Sequence, residues 1–205
     1  MLTRFHRVLV TAPHTDDGEI GAGGTIARLV EAGAEVYCLA FSTGAGRAIK
    51  AEFRAAMRVL GVPGENLGVL NFKTRYFPQR RQDVLQVLIR ARDILRPDLV
   101  LCPSARDAHQ DHQVVAAEAI RAFRATTLLG YELPWNGVTA FDVRCYVSLE
   151  AAHLRRKLDA LYRYESQSEK AYTQPGFITG LARMRGVQAG VPLAEAFEVV
   201  RWVMN

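Results

Sequence analysis

The stretch "VLVTAPHTDDGEIGAGGTIARL" places one imidazole and two adjacent carboxylates, His14, Asp16 and Asp17, directly after an apolar run. A second polar group, "DAHQDH" at 107–112, follows another apolar run, "DLVLCP". Three of the five histidines, His14, His109 and His112, fall in these two stretches. Neighbouring carboxylates repel, so a pair at one spot calls for a positive partner. Imidazole nitrogen with carboxylate oxygen suits a borderline ion such as zinc, and three protein ligands with an open fourth position are the usual form of a catalytic zinc site. On this reading His14, Asp17 and His112 are the ligands, and Asp16 stands beside the ion as general base for a water. Adjacent residues leaving a strand point different ways, so the two aspartates do not ligate equivalently. Spacing does not settle which of them faces the metal.

Three other chemistries use the same residues. Aspartate is a good helix N-cap, so "HTDD" can be a loop cap, although two such clusters after two apolar runs exceed what capping needs. "GAGG" can be a phosphate-binding turn, but Gly21 and Gly23 are followed by Ile26 where the third glycine belongs, and the aspartates would repel a pyrophosphate. The glycines are better suited to a tight turn and close helix–strand packing. A magnesium phosphohydrolase would use the acids and leave the three histidines idle. His6 and His153 read as surface or internally satisfied side chains.

The elements that must position these residues alternate. Strands are expected at 6–12, 35–42, 67–72 and 98–103, with helices at 23–33, 50–60, 80–95 and from about Asp111. That rhythm implies an α/β fold with a mostly parallel sheet and right-handed crossovers. Later strands are expected at 128–133, 143–149 and 195–203, a helix at 151–165, and a loop or lid at 173–186. Ligands of open α/β sheets sit outside the carboxyl ends of the strands, so the two polar clusters can share one crevice. The loops at 43–50, 73–81, 132–139 and 173–190 are its expected walls, with Trp135 and Tyr76 free either to stack on a ligand or to serve packing.

The chain has 205 residues, 49% apolar and 23% charged, which suits one domain, 1–205, with a full core and excludes wholesale disorder. The net charge of +5 is scattered, without the dense basic tail of a nucleic-acid arm, and fits an anionic substrate or a solvated surface. Cys38, Cys102 and Cys145 form neither a disulfide framework nor a metal knuckle and read as buried thiols in a reducing compartment. No signal-peptide pattern opens the sequence, and no apolar stretch approaches the roughly 20 residues that span a bilayer. A soluble cytoplasmic protein without nucleic-acid or membrane partners is expected.

"PHTDDGEIGAGGTIA" followed by "DAHQDH" resembles the PIG-L/LmbE family of zinc-dependent deacetylases, whose first motif reads approximately A-H-P-D-D-E-x-x-G-x-G-G-T and whose second reads H-x-D-H. "EFRAAMRVLGV" at 52–62, "KLDALYRYESQ" at 157–167 and "AEAFEVVR" at 194–201 are similar to further family stretches, so the likeness spans nearly the whole chain. The resemblance implies a Rossmann-like three-layer α/β/α fold. It implies zinc on His14, Asp17 and His112, Asp16 as base, and His109 stabilising an oxyanion or protonating a leaving amine. An Asp16 that stays charged at low pH and a His109 that holds its proton would suit those roles. Three departures stand out: Thr15 for the common proline, Gly18 for the first glutamate with Glu19 following, and Ile49 where some members carry an arginine, with Arg47 or Lys50 nearby. The implied activity is removal of an acetyl group from a GlcNAc-type small molecule, with a homo-oligomer admissible. The alternative is a catalytically silent sugar-binding or scaffold protein of the same fold, against which the intact Asp16 and His109 weigh.

Overall fold

The computed structural model describes residues 5–44, 47–137 and 140–204. The elements run β1 (Arg7–His14), α1 (Asp17–Glu31), β2 (Glu35–Ser42), α2 (Arg47–Leu60), β3 (Leu67–Val69), α3 (Arg81–Leu95), β4 (Leu99–Pro103), α4 (Gln110–Ala122), β5 (Thr127–Tyr131), β6 (Cys145–Ser148), α5 (Ala151–Leu161), α6 (Pro175–Ala189) and β7 (Ala194–Arg201). The strands form one sheet in the order β3-β2-β1-β4-β5-β7-β6. The first five are parallel, and β7 pairs antiparallel with both β5 and β6. The mostly parallel α/β expectation therefore holds.

Strand side chains alternate between two cores because successive residues face opposite ways. Val8 and Val10 of β1 and Leu99 and Leu101 of β4 join a core with Ile26 of α1, Met57 of α2, Leu161 of α5 and Ile178 of α6. Leu9, Val100 and Cys102 point the other way, against Leu88 of α3 and Val115 and Ala119 of α4. The sheet is thus covered on both faces, which is why its central strands read as continuous apolar runs rather than alternating ones.

Two expectations change. Helix α1 starts at Asp17, six residues before the expected 23, because the glycines that mask its pattern are packing residues. A Cβ on Gly21 would stand 2.2 Å from Cδ2 of Tyr131, a fully buried ring whose hydroxyl is tied to the Thr11 carbonyl at 3.0 Å. The helix breaks at Ala22 (φ −142°), and the Glu195 carboxylate of β7 accepts the freed N–H groups of Gly24 and Thr25 at 2.9 and 2.7 Å. Lys157 of α5 neutralises that carboxylate at 2.6 Å. The second change is at 173–186: the glycine-rich stretch expected as a loop or lid is helical. Pro175 suits the first helical position, where an N–H has no partner to lose. Gly186 lies so near the Val191 carbonyl oxygen that a Cβ there would stand 2.6 Å away, so this glycine serves a close approach rather than a loop.

The buried contact of Gly21 with Tyr131 makes Gly21→Ala an overpacking change. We expect it to destabilise the fold by about 1–3 kcal/mol, read as a lower urea midpoint at unchanged slope. A midpoint equal to that of the parent would show that α1 can move away from the sheet.

Candidate functional site

β1 and β4 lie side by side, and their connections leave in opposite directions across the sheet, α1 to one face and α4 to the other. This is the switch point of the topology, where a crevice opens at the carboxyl ends of the strands. β1 ends at His14 and α1 begins at Asp17; β4 ends at Pro103 and α4 begins at Gln110. The two polar clusters therefore face each other across adjacent strand ends.

Three side-chain atoms converge there. His14 Nδ1 lies 3.1 Å from Asp17 Oδ2 and 3.2 Å from His112 Nε2, and His112 Nε2 lies 3.2 Å from Asp17 Oδ2. A tetrahedral ion with bonds of about 2.0–2.2 Å needs donors about 3.3–3.6 Å apart, so this triangle fits one to within a few tenths of an ångström. His14, His109 and His112 can also bring ring nitrogens within 4.8 Å of one another, a histidine group that could hold a metal ion. Both sets share His14 and His112.

Each of those two rings is held from behind by a second carboxylate. His112 Nδ1 bonds Asp107 Oδ2 at 2.7 Å, and His14 Nε2 bonds Asp111 Oδ2 at 3.2 Å. Such partners fix the tautomer and aim the remaining nitrogen forward. Asp111 also accepts the backbone N–H groups of Arg75 (2.6 Å) and Phe77 (3.2 Å), so it ties the segment after β3 to the centre. Neither Asp107 nor Asp111 stood out in the sequence. Their signal was the placement of an acid two and five residues before His109 and His112, or between them, within "DAHQDH".

Asp16 sits just before α1, but its side chain caps no helix N–H, which removes the loop-cap reading for this residue. It faces a cavity of about 440 Å³ lined also by His14, Asp17, His109 and His112. The peptide that carries it is held from below: the Tyr164 hydroxyl lies 2.5 Å from the Thr15 carbonyl and 2.5 Å from Glu19 Oε1. One hydroxyl proton serves one of these acceptors at a time, and burial pushes the Glu19 carboxyl well above the usual carboxylate range. The displaced glutamate of the motif thus supports the loop instead of facing the cavity. Glu52 accepts the backbone N–H and hydroxyl of Ser166 at 3.1 and 2.6 Å, joining two of the stretches that carry the family likeness.

The charges divide. Burial raises the Asp16 carboxyl to about 6, helped by repulsion from Asp17 and opposed by Lys170 and His14. Asp17 goes the other way: burial raises it, but the His112 and His14 rings outweigh burial and hold it far below the usual carboxylate range. Burial works against a proton on His14 and His112, yet Asp17 prevails with Asp111 and Asp107, lifting them to about 9 and about 10. His109 is lowered by burial first, then by His112 and His14. Its Nδ1 accepts the Asp111 N–H at 3.1 Å, which leaves Nε2–H as a donor. For the protein groups alone, Asp16 is less acidic than an ordinary aspartate and His109 holds its proton less well than an ordinary histidine. Burial and the like-charged neighbour decide both.

The cavity walls come partly from expected loops: Thr43, Gly44, Ile49, Thr74, Arg75, Trp135 and Asn136. No residue of α6 lines it; that wall is Gln167, Lys170 and Tyr172. Trp135 stacks on Tyr172 with ring centroids 4.0 Å apart. Tyr76 lies outside the lining, under the Lys73 ammonium at 3.9 Å. Lys50 is exposed and does not line the cavity either, and the Arg47 side chain lies outside the described residues. Cys38 and Cys102 are buried free thiols, while Cys145 is only half-buried. His6 is exposed, and His153 is buried and satisfied by Glu31 and the Glu150 N–H.

Fold and site together define a Rossmann-like α/β protein with a buried histidine–aspartate centre at its topological switch point. The chain belongs to the PIG-L family: the family model described as GlcNAc-PI de-N-acetylase matches residues 9–123. That family supports hydrolysis of an amide, specifically deacetylation of GlcNAc-type compounds. The uncharacterized deacetylase YaiS of Escherichia coli is 27% identical over 173 residues, covering 78% of this chain and 90% of YaiS. Two solved structures share the fold. The N,N'-diacetylchitobiose deacetylase of Pyrococcus horikoshii has a TM-score of 0.75 and 21% identity, over 96% of this chain and 84% of that one. GalB, the 4-carboxy-2-hydroxymuconate hydratase of Pseudomonas putida, has a TM-score of 0.77 and 22% identity, over 98% and 99%. No described helix is long and apolar enough to cross a membrane.

The raised histidines give the metal-free chain a pH signature. Folded values of about 9 and about 10 lie above the ordinary 6.5, so their contribution to stability is complete below about 6.5 and is lost as pH rises through 9 and 10. We expect the urea midpoint of the chelator-treated protein to fall between pH 7 and pH 10, and imidazole NMR signals of His14 and His112 to titrate well above that of His109. Three histidines titrating together near 6.5 would contradict the charge division.

Proposed function

We propose that the chain is a zinc-dependent N-deacetylase acting on a GlcNAc-type metabolite, nucleotide sugar or glycan precursor in the cytoplasm. The observation that carries this reading is the triangle of His14 Nδ1, Asp17 Oδ2 and His112 Nε2 at 3.1–3.2 Å, open to a cavity beside Asp16. Nitrogen-rich donors with a carboxylate suit zinc better than magnesium or calcium. When bound, such an ion supplies a Lewis acid that polarises an amide carbonyl and acidifies water.

The protein groups divide the remaining work. Asp16, which faces the cavity beside those donors, is placed to take a proton from the attacking water. The water oxygen bonds to the carbonyl carbon, the same proton goes to the nitrogen as the C–N bond breaks, and the products are a free amine and acetic acid, which gives its remaining proton to solvent. His109 is a neutral donor whose Nε2–H meets the oxygen that gains negative charge. Neutrality suits this task, since a donor that keeps its proton does not compete with Asp16 for the transfer. Asp107 and Asp111 are positioning residues that hold His112 and His14 in the required tautomers.

Zinc-loaded protein incubated with a panel of N-acetyl sugars should release free amine, and a strong chelator should stop it. Asp16→Asn should keep its metal and lose turnover by roughly 100- to 10,000-fold. Asp17→Ala should lose metal and activity together. Asp107→Ala should weaken metal affinity by about 10–100-fold through His112. Metal stoichiometry measured beside rate separates these outcomes; a chelator-resistant activity, or full zinc in Asp17→Ala with none in Asp16→Asn, contradicts the assignment.

A further inference from the structure

Asp16 hangs on a two-residue joint. β1 is held by its ladder as far as His14, and α1 begins at Asp17. Between them Thr15 and Asp16 form a turn. Asp16 has φ −100° and ψ −13°, the backbone of the third residue of a type I turn, which makes Thr15 the second. Proline favours that second position because its ring presets φ. His14 is extended, as the residue before a proline must be. Thr15 lacks the ring, and its side chain supplies no substitute: the hydroxyl oxygen is buried and has no hydrogen-bond partner among the described residues.

The restraint comes from far along the chain. The Thr15 carbonyl lies 2.5 Å from the Tyr164 hydroxyl, 149 residues on, and the same hydroxyl lies 2.5 Å from Glu19 Oε1 in the first turn of α1. Tyr164 is 2% exposed and Glu19 0%, so bulk water does not compete for either contact. The Tyr164 ring belongs to the core that includes Ile20, Met57 and Leu161, which fixes where its hydroxyl stands. One oxygen is thus pinned both to the central peptide of the turn and to the helix that follows. Tyr131 offers a comparison. Its buried hydroxyl meets the Thr11 carbonyl at 3.0 Å, but Thr11 lies inside β1, where the ladder already holds the backbone.

We infer that Tyr164 is a positioning residue: its hydroxyl, backed by Glu19, supplies the stiffness that a proline at 15 would give, and so aims the Asp16 carboxylate into the cavity. Its effect on turnover rests on the deacetylase reading; the restraint on the turn does not.

Tyr164→Phe keeps the ring and removes only the hydroxyl. In zinc-loaded protein assayed by amine release from an N-acetyl sugar, it should lower kcat about tenfold, while KM and zinc affinity change by less than about twofold. Thr15→Pro should keep the parent's kcat and raise the urea midpoint, since it removes an unpartnered hydroxyl and a freedom of the unfolded chain. In that background Tyr164→Phe should cost only about threefold, the coupling expected of two restraints on one joint. Tyr131→Phe should lower the midpoint and leave kcat alone. Without turnover, NMR relaxation of the metal-free protein should show the order parameters of the Asp16 and Asp17 amides falling in Tyr164→Phe and recovering when Thr15→Pro is added. An unchanged kcat, an equal loss in both backgrounds, a Thr15→Pro enzyme as slow as Tyr164→Phe, or amides indifferent to Tyr164→Phe overturns the inference. Amides that loosen and recover in a protein that releases amine from no N-acetyl sugar sink the deacetylase reading and leave the restraint standing.

Discussion

Two carboxylates on consecutive residues are buried at the end of β1, and that is the constraint around which the site is arranged. Asp16 and Asp17 cannot both be charged in a dry environment without a compensating positive group. The protein assigns them different surroundings. Asp17 receives two imidazoles and stays ionised, while Asp16 receives neither and becomes a weak acid. One dipeptide thus yields a ligand-like carboxylate and a base-like one. Everything nearby serves that split, from the acids behind the histidines to the tyrosine under the Thr15 carbonyl.

Much of this was legible in the chain. Buried parallel strands announce themselves as apolar runs, so β2 falls on the expected residues 35–42 and β4 begins one residue later than expected. The convergence of "HTDD" and "DAHQDH" followed from their shared place after such runs. Helix α1 was shortened and α6 missed for one reason: glycine lowers helix propensity in any local reading, whereas Gly21 and Gly186 are present because another surface comes too close for a Cβ. Such a requirement belongs to the partner surface and leaves no periodic trace. The pKa shifts of the metal-free Asp16 and His109 were not legible for a related reason. A motif names the neighbours of a group but not its burial, and burial is the first cause of both shifts.

Asp111 shows how one side chain can serve the centre and the cavity wall together. One of its oxygens is shared by His14 and the Arg75 N–H, and the other takes the Phe77 N–H. The segment that forms part of the cavity wall is therefore anchored to the same atom that steadies a centre histidine. Wall and centre cannot shift independently there.

The break in α1 has a consequence in time. The helix that carries Asp17 is completed at Gly24 and Thr25 by Glu195, and Thr25 and Glu195 are 170 residues apart. At about 5–20 residues per second, a ribosome takes roughly 10–30 s to pass from one to the other. In about the second half of that interval the nascent chain contains His14, Asp16, Asp17, His109 and His112 but lacks the carboxylate that closes the helix. Completion of α1 is thereby tied to the arrival of β7, so a helix made early waits for a strand made late.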